Sequence, residues 1–156
     1  MDERLEEVAH DLPSLHRPVW ALAWSPDGTL LLSGNRAGWL AEWDVPTGEL
    51  KSRAFAHEGG VCALASSPRG ALVASGGGDD AVRLWAPATG QKMQLPLGHS
   101  AAVRTLAWSS SGAMLASAGD DGTRALSGIA LRGRCLFRRA TTLKYTVWPG
   151  GLAAPS

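Results

Sequence analysis

Apolar and polar residues change over along this chain in short runs, and almost nowhere with the 3.6-residue period of a helix. Val19–Ser25, Val61–Ser66 and Val103–Ser109 are rich in apolar residues. Runs of that length predict inner strands buried on both faces. Each is followed by turn chemistry: Ser25-Pro26-Asp27-Gly28, Ser67-Pro68-Arg69-Gly70 and, without the proline, Ser109-Ser110-Ser111-Gly112. Proline pre-sets φ for such a turn and glycine takes its left-handed position. Second strands are predicted at Leu30–Ser33, Leu72–Ser75 and Met114–Ser117, and third strands end on Trp43 and Trp85. Pro46-Thr47-Gly48 and Pro87-Ala88-Thr89-Gly90 reverse the chain before outer strands near Leu50–Phe55 and Lys92–Leu97. Only the acidic first eleven residues, with Leu5 and Val8 at helical spacing, could form a short helix; a solvated leader is the preferred reading.

The pattern repeats every 42 residues. Ser33, Ser75 and Ser117 keep this spacing, as do Gly28, Gly70 and Gly112; Trp43 and Trp85 are also 42 apart. Trp24, Ser66 and Trp108 form a fourth column, and 42 residues beyond Trp85 stands Ser127, where the pattern fails. Four short strands in each unit of about 40 residues describe the blade of a β-propeller. The predicted fold is therefore all-β: a partial propeller of two to three four-stranded antiparallel blades with an irregular C-terminal tail. Its parts are a leader (1–13), the blades (14–55, 56–97 and an incomplete 98–123) and a tail (124–156).

These units resemble the WD-repeat β-propeller family. Blade two carries most of the likeness, from His57 through Ser67-Pro68-Arg69-Gly70 and Ser75 to Asp79 and Ala81-Val82-Arg83-Leu84-Trp85. Blade one matches at His16, Trp24-Ser25-Pro26-Asp27-Gly28, Ser33 and Trp43-Asp44; blade three matches at Gly98-His99, Trp108-Ser109, Ser117, Asp121 and Gly122-Thr123. The resemblance implies a structural hydrogen-bonded tetrad, which in blade two is His57, Ser75, Asp79 and Trp85. An indole only donates, hydroxyl and imidazole do both, and a carboxylate accepts, so the four can satisfy one another. Blade one offers His16, Ser33 and Trp43 but has Ala37 where the aspartate belongs; blade three offers His99, Ser117 and Asp121 without the tryptophan. The family likeness also implies that loops beside the histidine and aspartate dock proteins or peptides. Here these are Arg17, Glu58 and Ser100 after each histidine, and Arg36, Gly78 and Asp120 beside the tight turns.

Sharper chemistry competes with this reading and loses. His57, Ser75 and Asp79 could suggest a hydrolase triad, but the spacing recurs at His99, Ser117 and Asp121, and no Gly-x-Ser-x-Gly elbow is present. Gly76-Gly77-Gly78 lacks the Gly-Lys-Ser/Thr of a phosphate loop and is expected in a tight turn. His10, His16, His57 and His99 lack metal-ligand spacing, so no metal or cofactor is expected. Cys62 is expected in the core, whereas Cys135, among arginines, has a setting that could lower its thiol pKa.

Composition adds limits. The 156 residues, 45% hydrophobic and 19% charged, suffice for one domain. Seven tryptophans stand beside two phenylalanines and one tyrosine. Two widely spaced cysteines point to a reducing, intracellular setting. No apolar run spans a bilayer and the acidic start is no signal peptide. The net charge of +1 averages two unlike regions: residues 1–123 hold 9 basic and 14 acidic side chains, residues 124–156 hold 6 basic and none acidic. Loss of the repeat coincides with that reversal. Residues 124–156 are therefore expected to come from another reading frame, intron or alternative exon. The other reading is a divergent last blade with strands at Leu136–Phe137 and Leu143–Trp148. The basic tail permits contact with nucleic acid, although no recognition motif supports it.

Closed propellers hold about 4–8 blades. The expectation is thus part of a larger propeller, with self-association possible through open blade edges. The functional expectation is a non-catalytic interaction scaffold of WD-repeat type that binds proteins or peptides. The alternatives are the accessory domain of a truncated enzyme and a shortened product without function.

Overall fold

The computed structural model of the chain describes residues 17–89, 91–95 and 99–128. Short apolar runs separated by Gly-bearing turns leave each strand one natural partner, its neighbour in sequence. Three antiparallel sheets result. The first holds β1 (Val19–Trp24), β2 (Leu30–Asn35), β3 (Trp39–Asp44) and β4 (Glu49–Phe55), in that order. The second holds β5 (Val61–Ser66), β6 (Val73–Gly77), β7 (Val82–Ala86) and β8 (Gln91–Leu95). The third holds β9 (Val103–Trp108), β10 (Met114–Gly119) and β11 (Arg124–Gly128). Gly28, Gly70 and Gly112 sit at φ of 71°, 71° and 69°, the left-handed position that their turns require.

The sheets are stacked face to face, and their cores lie between them. Leu32, Leu40, Ala56, Val61 and Val73 bury the face between sheets one and two, joined by Ala23, Leu64 and Trp85. Ala74, Val82, Leu84, Leu95, Val103 and Leu115 do the same between sheets two and three, with Leu106 and Trp108. Val61 and Val103, one repeat apart, are both 0% exposed. Each presses on a glycine of the preceding sheet, Gly34 and Gly76 respectively, where a Cβ would overlap the valine. The indole of Trp108 adds a donor across the second interface, to the Ala65 carbonyl at 3.0 Å.

Four expectations need correction. The inner strands β1 and β9 are not buried on both faces: Val19, Trp20, Leu22 and Trp24 are 42, 45, 61 and 57% exposed, and Arg104, Thr105 and Ala107 of β9 are exposed too. Sequence sets a strand's apolar character, but a neighbouring sheet supplies its burial, and no described sheet covers this side of β1. Residues 124–128 are no part of an irregular tail, since β11 pairs with β10 from Ala118↔Arg124 to Met114↔Gly128. Gly76 and Gly77 lie inside β6 rather than in a turn, and they are small because Val103 and His57 crowd them. Cys62 is half-buried rather than in the core. Residues 1–16 and 129–156, with His10, His16 and Cys135 and the strands suggested at 136–137 and 143–148, lie outside the described residues.

Candidate functional site

The densest polar cluster lies in blade two. His57, in the connection after β4, is fully buried, as is Ser75 in β6. Trp85 Nε1 donates to Ser75 Oγ at 2.8 Å, and Ser75 Oγ meets His57 Nε2 at 2.8 Å. His57 Nδ1 meets Asp79 Oδ1 at 2.7 Å. Burial pushes the His57 imidazole below its ordinary pKa, against the pull of Asp79. A neutral ring with its proton on Nδ1 satisfies the whole chain: indole to hydroxyl, hydroxyl to Nε2, Nδ1–H to carboxylate. Burial alone would raise the Asp79 pKa, but hydrogen bonds from His57 and Arg83 outweigh it and hold the carboxyl below its ordinary value. Arg83 Nη1 reaches Asp79 Oδ2 at 2.7 Å, a partner the sequence reading had not assigned. Asp79 also accepts the backbone N–H groups of Glu58 and Ala81, so one carboxylate ties two loops together.

Blade three repeats the arrangement without its tryptophan. His99 Nε2 meets Ser117 Oγ at 2.7 Å and His99 Nδ1 meets Asp121 Oδ2 at 3.0 Å. Asp121 accepts the N–H groups of Ser100 and Thr123 at 3.0 and 2.9 Å. Burial opposes its ionisation, yet these backbone donors hold its pKa well below the carboxylate range. Blade one keeps the opposite half. Trp43 Nε1 donates to Ser33 Oγ at 2.9 Å, but Ala37 offers no carboxylate. The N–H that Asp79 and Asp121 accept at Ala81 and Thr123 belongs here to Trp39, and it goes to Asn35 Oδ1 at 3.0 Å. Asn35 occupies the position of Gly77 in blade two, where a Cβ would overlap the His57 ring. It was legible as the one polar side chain in a column otherwise filled by Gly77 and Gly119. His16 lies outside the described residues; it stands three residues before Val19, whereas His57 and His99 stand four before Val61 and Val103.

The loops at this end bring the six candidate docking residues together in pairs. Arg36 N–H donates to the Pro18 carbonyl at 2.9 Å, Gly78 N–H to Gly60 at 3.0 Å and Asp120 N–H to Ala102 at 3.0 Å. Arg17 thereby neighbours Arg36, Glu58 neighbours Gly78, and Ser100 neighbours Asp120. All are exposed except Gly78, which is half-buried. Asp120 is already engaged: Arg104 donates to its Oδ2 from Nε at 2.8 Å and from Nη2 at 2.6 Å, and this guanidinium holds the Asp120 carboxyl below its ordinary pKa.

Sequence reasoning missed a further set on the same rim. Register shifts between Val19 and Ala21, between Val61 and Ala63, and opposite Ala118/Gly119 make Trp20, Cys62 and Arg104 the extra residues of three equivalent β-bulges. A bulge re-aims its side chain. Trp20 leans over Gly60 of blade two, and Arg104 Nη1 lies 4.0 Å from Cys62 Sγ. Burial pushes the Cys62 thiol pKa up, so no thiolate is favoured there. The 42-residue column of tryptophan, cysteine and arginine was the available clue, since a structural position would not vary so widely.

Stacked four-stranded antiparallel sheets with a repeated histidine–serine–aspartate corner define a protein built from propeller blades. The WD domain, G-beta repeat model matches residues 9–44, 48–86 and 90–123, and the chain belongs to this WD40 repeat family. Members of the family are typically protein-interaction scaffolds and usually non-catalytic. The chain is also similar to the WD repeat-containing protein WDS homolog of Arabidopsis thaliana, 43% identical over 51 residues, which are 33% of this chain and 10% of that relative. The match thus spans a tenth of the relative's length. The family repeat is offset from the sheets: residues 48–86 supply β4 to the first sheet and β5–β7 to the second. The second and third repeats therefore each join two blades covalently. No helix among the described residues is long and apolar enough to cross a membrane.

Proposed function

We propose that the chain is a non-catalytic interaction scaffold that binds proteins or peptides through the loop rim bearing Arg17, Arg36, Glu58, Gly78, Ser100 and Asp120, in a reducing intracellular setting. One observation carries this reading. The polar groups that could do chemistry are consumed by the scaffold, while the exposed side chains of the rim differ from blade to blade. Ser75 is 0% exposed and its oxygen lies between an indole N–H and an imidazole, so no substrate reaches it as a nucleophile. The rim instead offers an aromatic ring at Trp20 on β1, with cations at Arg17 and Arg36 and an anion at Glu58 on the loops that the strands hold in place. The blades 14–55 and 56–97, and a third from 98 that includes β11 (Arg124–Gly128), serve as the structural units of this scaffold, with His57, Ser75, Asp79, Trp85, Ser33, Trp43, His99, Ser117 and Asp121 as its internal fastenings. Affinity capture with the wild-type chain and with Arg17→Ala/Arg36→Ala/Glu58→Ala tests the rim. The expected result is loss of partners from the triple variant; an identical partner set overturns the assignment.

A further inference from the structure

Blade one contains a cavity of about 310 Å³ lined by Arg17, Asn35, Ala37, Trp39, Ala41, Leu50 and Arg53. Its origin follows from the repeat. In blade two the corresponding corner is filled by the His57 ring, the Asp79 carboxylate and the Arg83 guanidinium. Blade one has Ala37 in the place of Asp79 and Ala41 in the place of Arg83, so two large polar side chains are replaced by methyl groups. Asn35, in the place of Gly77, excludes a ring placed as His57 is. Among the described residues the corner thus lacks both the carboxylate and the guanidinium that fill it in blade two.

Donors, without acceptors to match, surround this space. Asn35 is 2% exposed; its oxygen is used by the Trp39 N–H, and its amide nitrogen donates to no atom of the described residues. Ser33, paired across the sheet with Ala41, accepts from Trp43, and its own hydroxyl proton meets no acceptor among the described residues. Arg53 lies over the Trp39 ring, 5.5 Å from its centroid, and neither Arg17 nor Arg53 forms an ion pair among the described residues. In blades two and three a carboxylate answers the donors at this corner; in blade one none does. Trp39 and Leu50, 38% and 39% exposed, form an apolar rim.

We infer that this cavity is a binding site for the carboxylate side chain of a partner's acidic peptide segment, with Asn35, Arg17 and Arg53 as its donors and Trp39 and Leu50 as the apolar walls. Guanidinium groups match a carboxylate bidentately, and the Asn35 amide in the cavity wall can add a further donor. The site goes beyond the loop rim, with which it shares only Arg17, so the variants below separate the two surfaces.

The test is isothermal titration of the full chain with a capped, leucine-flanked peptide carrying one central glutamate, and with its glutamine twin. The glutamate peptide is expected to bind about tenfold or more tightly, the scale of a charge-assisted hydrogen bond. Arg53→Ala should erase that preference. Ala37→Asp, which supplies a carboxylate from within as Asp79 does in blade two, should abolish binding while circular dichroism stays that of the wild type. Arg69→Ala, on an exposed turn of blade two outside both surfaces, should leave binding unchanged. Equal affinity for the two peptides, or a glutamate preference that survives both Arg53→Ala and Ala37→Asp, overturns the inference. Binding that appears only after removal of residues 1–13 also overturns it, since the chain's own acidic residues would then be the occupant.

Discussion

Blades one and two share strand order, register and turn chemistry, yet they secure the same corner by different means. In blade two a buried histidine reaches across from the preceding connection and joins Ser75, Asp79 and Trp85. In blade one Asn35 caps the β2–β3 turn through the Trp39 N–H, and among the described residues no carboxylate joins it beside the cavity. The turn is thus capped by a carboxylate in one blade and by an amide in the other. The histidine network adds a tie between successive elements in blade two, and the small side chains of Ala37 and Ala41 leave a pocket in blade one. Scaffolding and recognition compete for the same few residues.

The comparison breaks most visibly at the glycine that admits the ring. Gly77→Ala should expel His57 and orphan its partners, destabilising the chain by about 3 kcal/mol or more in urea denaturation. Asn35→Gly, at the equivalent position, should cost only about 1 kcal/mol, one hydrogen bond. If the two cost the same, the blades are not secured differently.

A second contrast concerns burial. Val61 and Val19 are equivalent by the repeat but 0% and 42% exposed. Val61→Ala should lower stability by about 2 kcal/mol, through lost transfer energy and the cavity left behind. Val19→Ala should change it by less than about 0.5 kcal/mol. A large effect at Val19 in thermal unfolding would mean that its side of β1 is covered in solution.

Acid should act on blade two before it acts on blade one. The His57 pKa is depressed in the fold, so its contribution is fully present above the unfolded value near 6.5 and is lost as pH falls toward the folded value. Asp79, also depressed, adds to the same trend below its ordinary value of 3.8. Urea midpoints should therefore fall from pH 7.5 to pH 5, and the fall should be absent in His57→Gln; a rise on acidification would contradict the assignment. The smallest effect belongs to the exposed Arg104–Asp120 pair, 56% and 49% exposed. Arg104→Ala should change stability least of all these variants, and the change should vanish in high salt.

Most of the strand order was legible because the 42-residue columns mark turns and tryptophans directly. Val61–Ser66 was placed to the residue, and β2, β6 and β10 were placed within about two residues at each end, the usual uncertainty of a strand boundary. Three features were hidden for physical reasons. Burial of β1 depends on a neighbouring sheet rather than on its own composition. Strand β11 carries Ser127 where the repeat would show tryptophan, and it forms because β10 offers it a free backbone edge. The glycine run at Gly76–Gly78 reads as a turn in one dimension, whereas its smallness answers to Val103, His57 and Gly59 pressing from outside the strand. Of the site, the histidine, serine and aspartate positions were readable from spacing. Arg83, Asn35 and the bulge residues Trp20, Cys62 and Arg104 were not, because their roles depend on which loop lies opposite.

The central claim is that the Ser75–His57–Asp79 cluster is a fastening and not a catalytic centre. Urea denaturation of the wild type and of Ser75→Ala, followed by tryptophan fluorescence alongside an ester-hydrolysis assay on the same samples, tests it most directly. Removing the hydroxyl strands the Trp85 indole and the His57 imidazole, and the account predicts a loss of about 1–3 kcal/mol with hydrolysis at background in both proteins. Unchanged stability, with hydrolysis present in the wild type and abolished in Ser75→Ala, would contradict it.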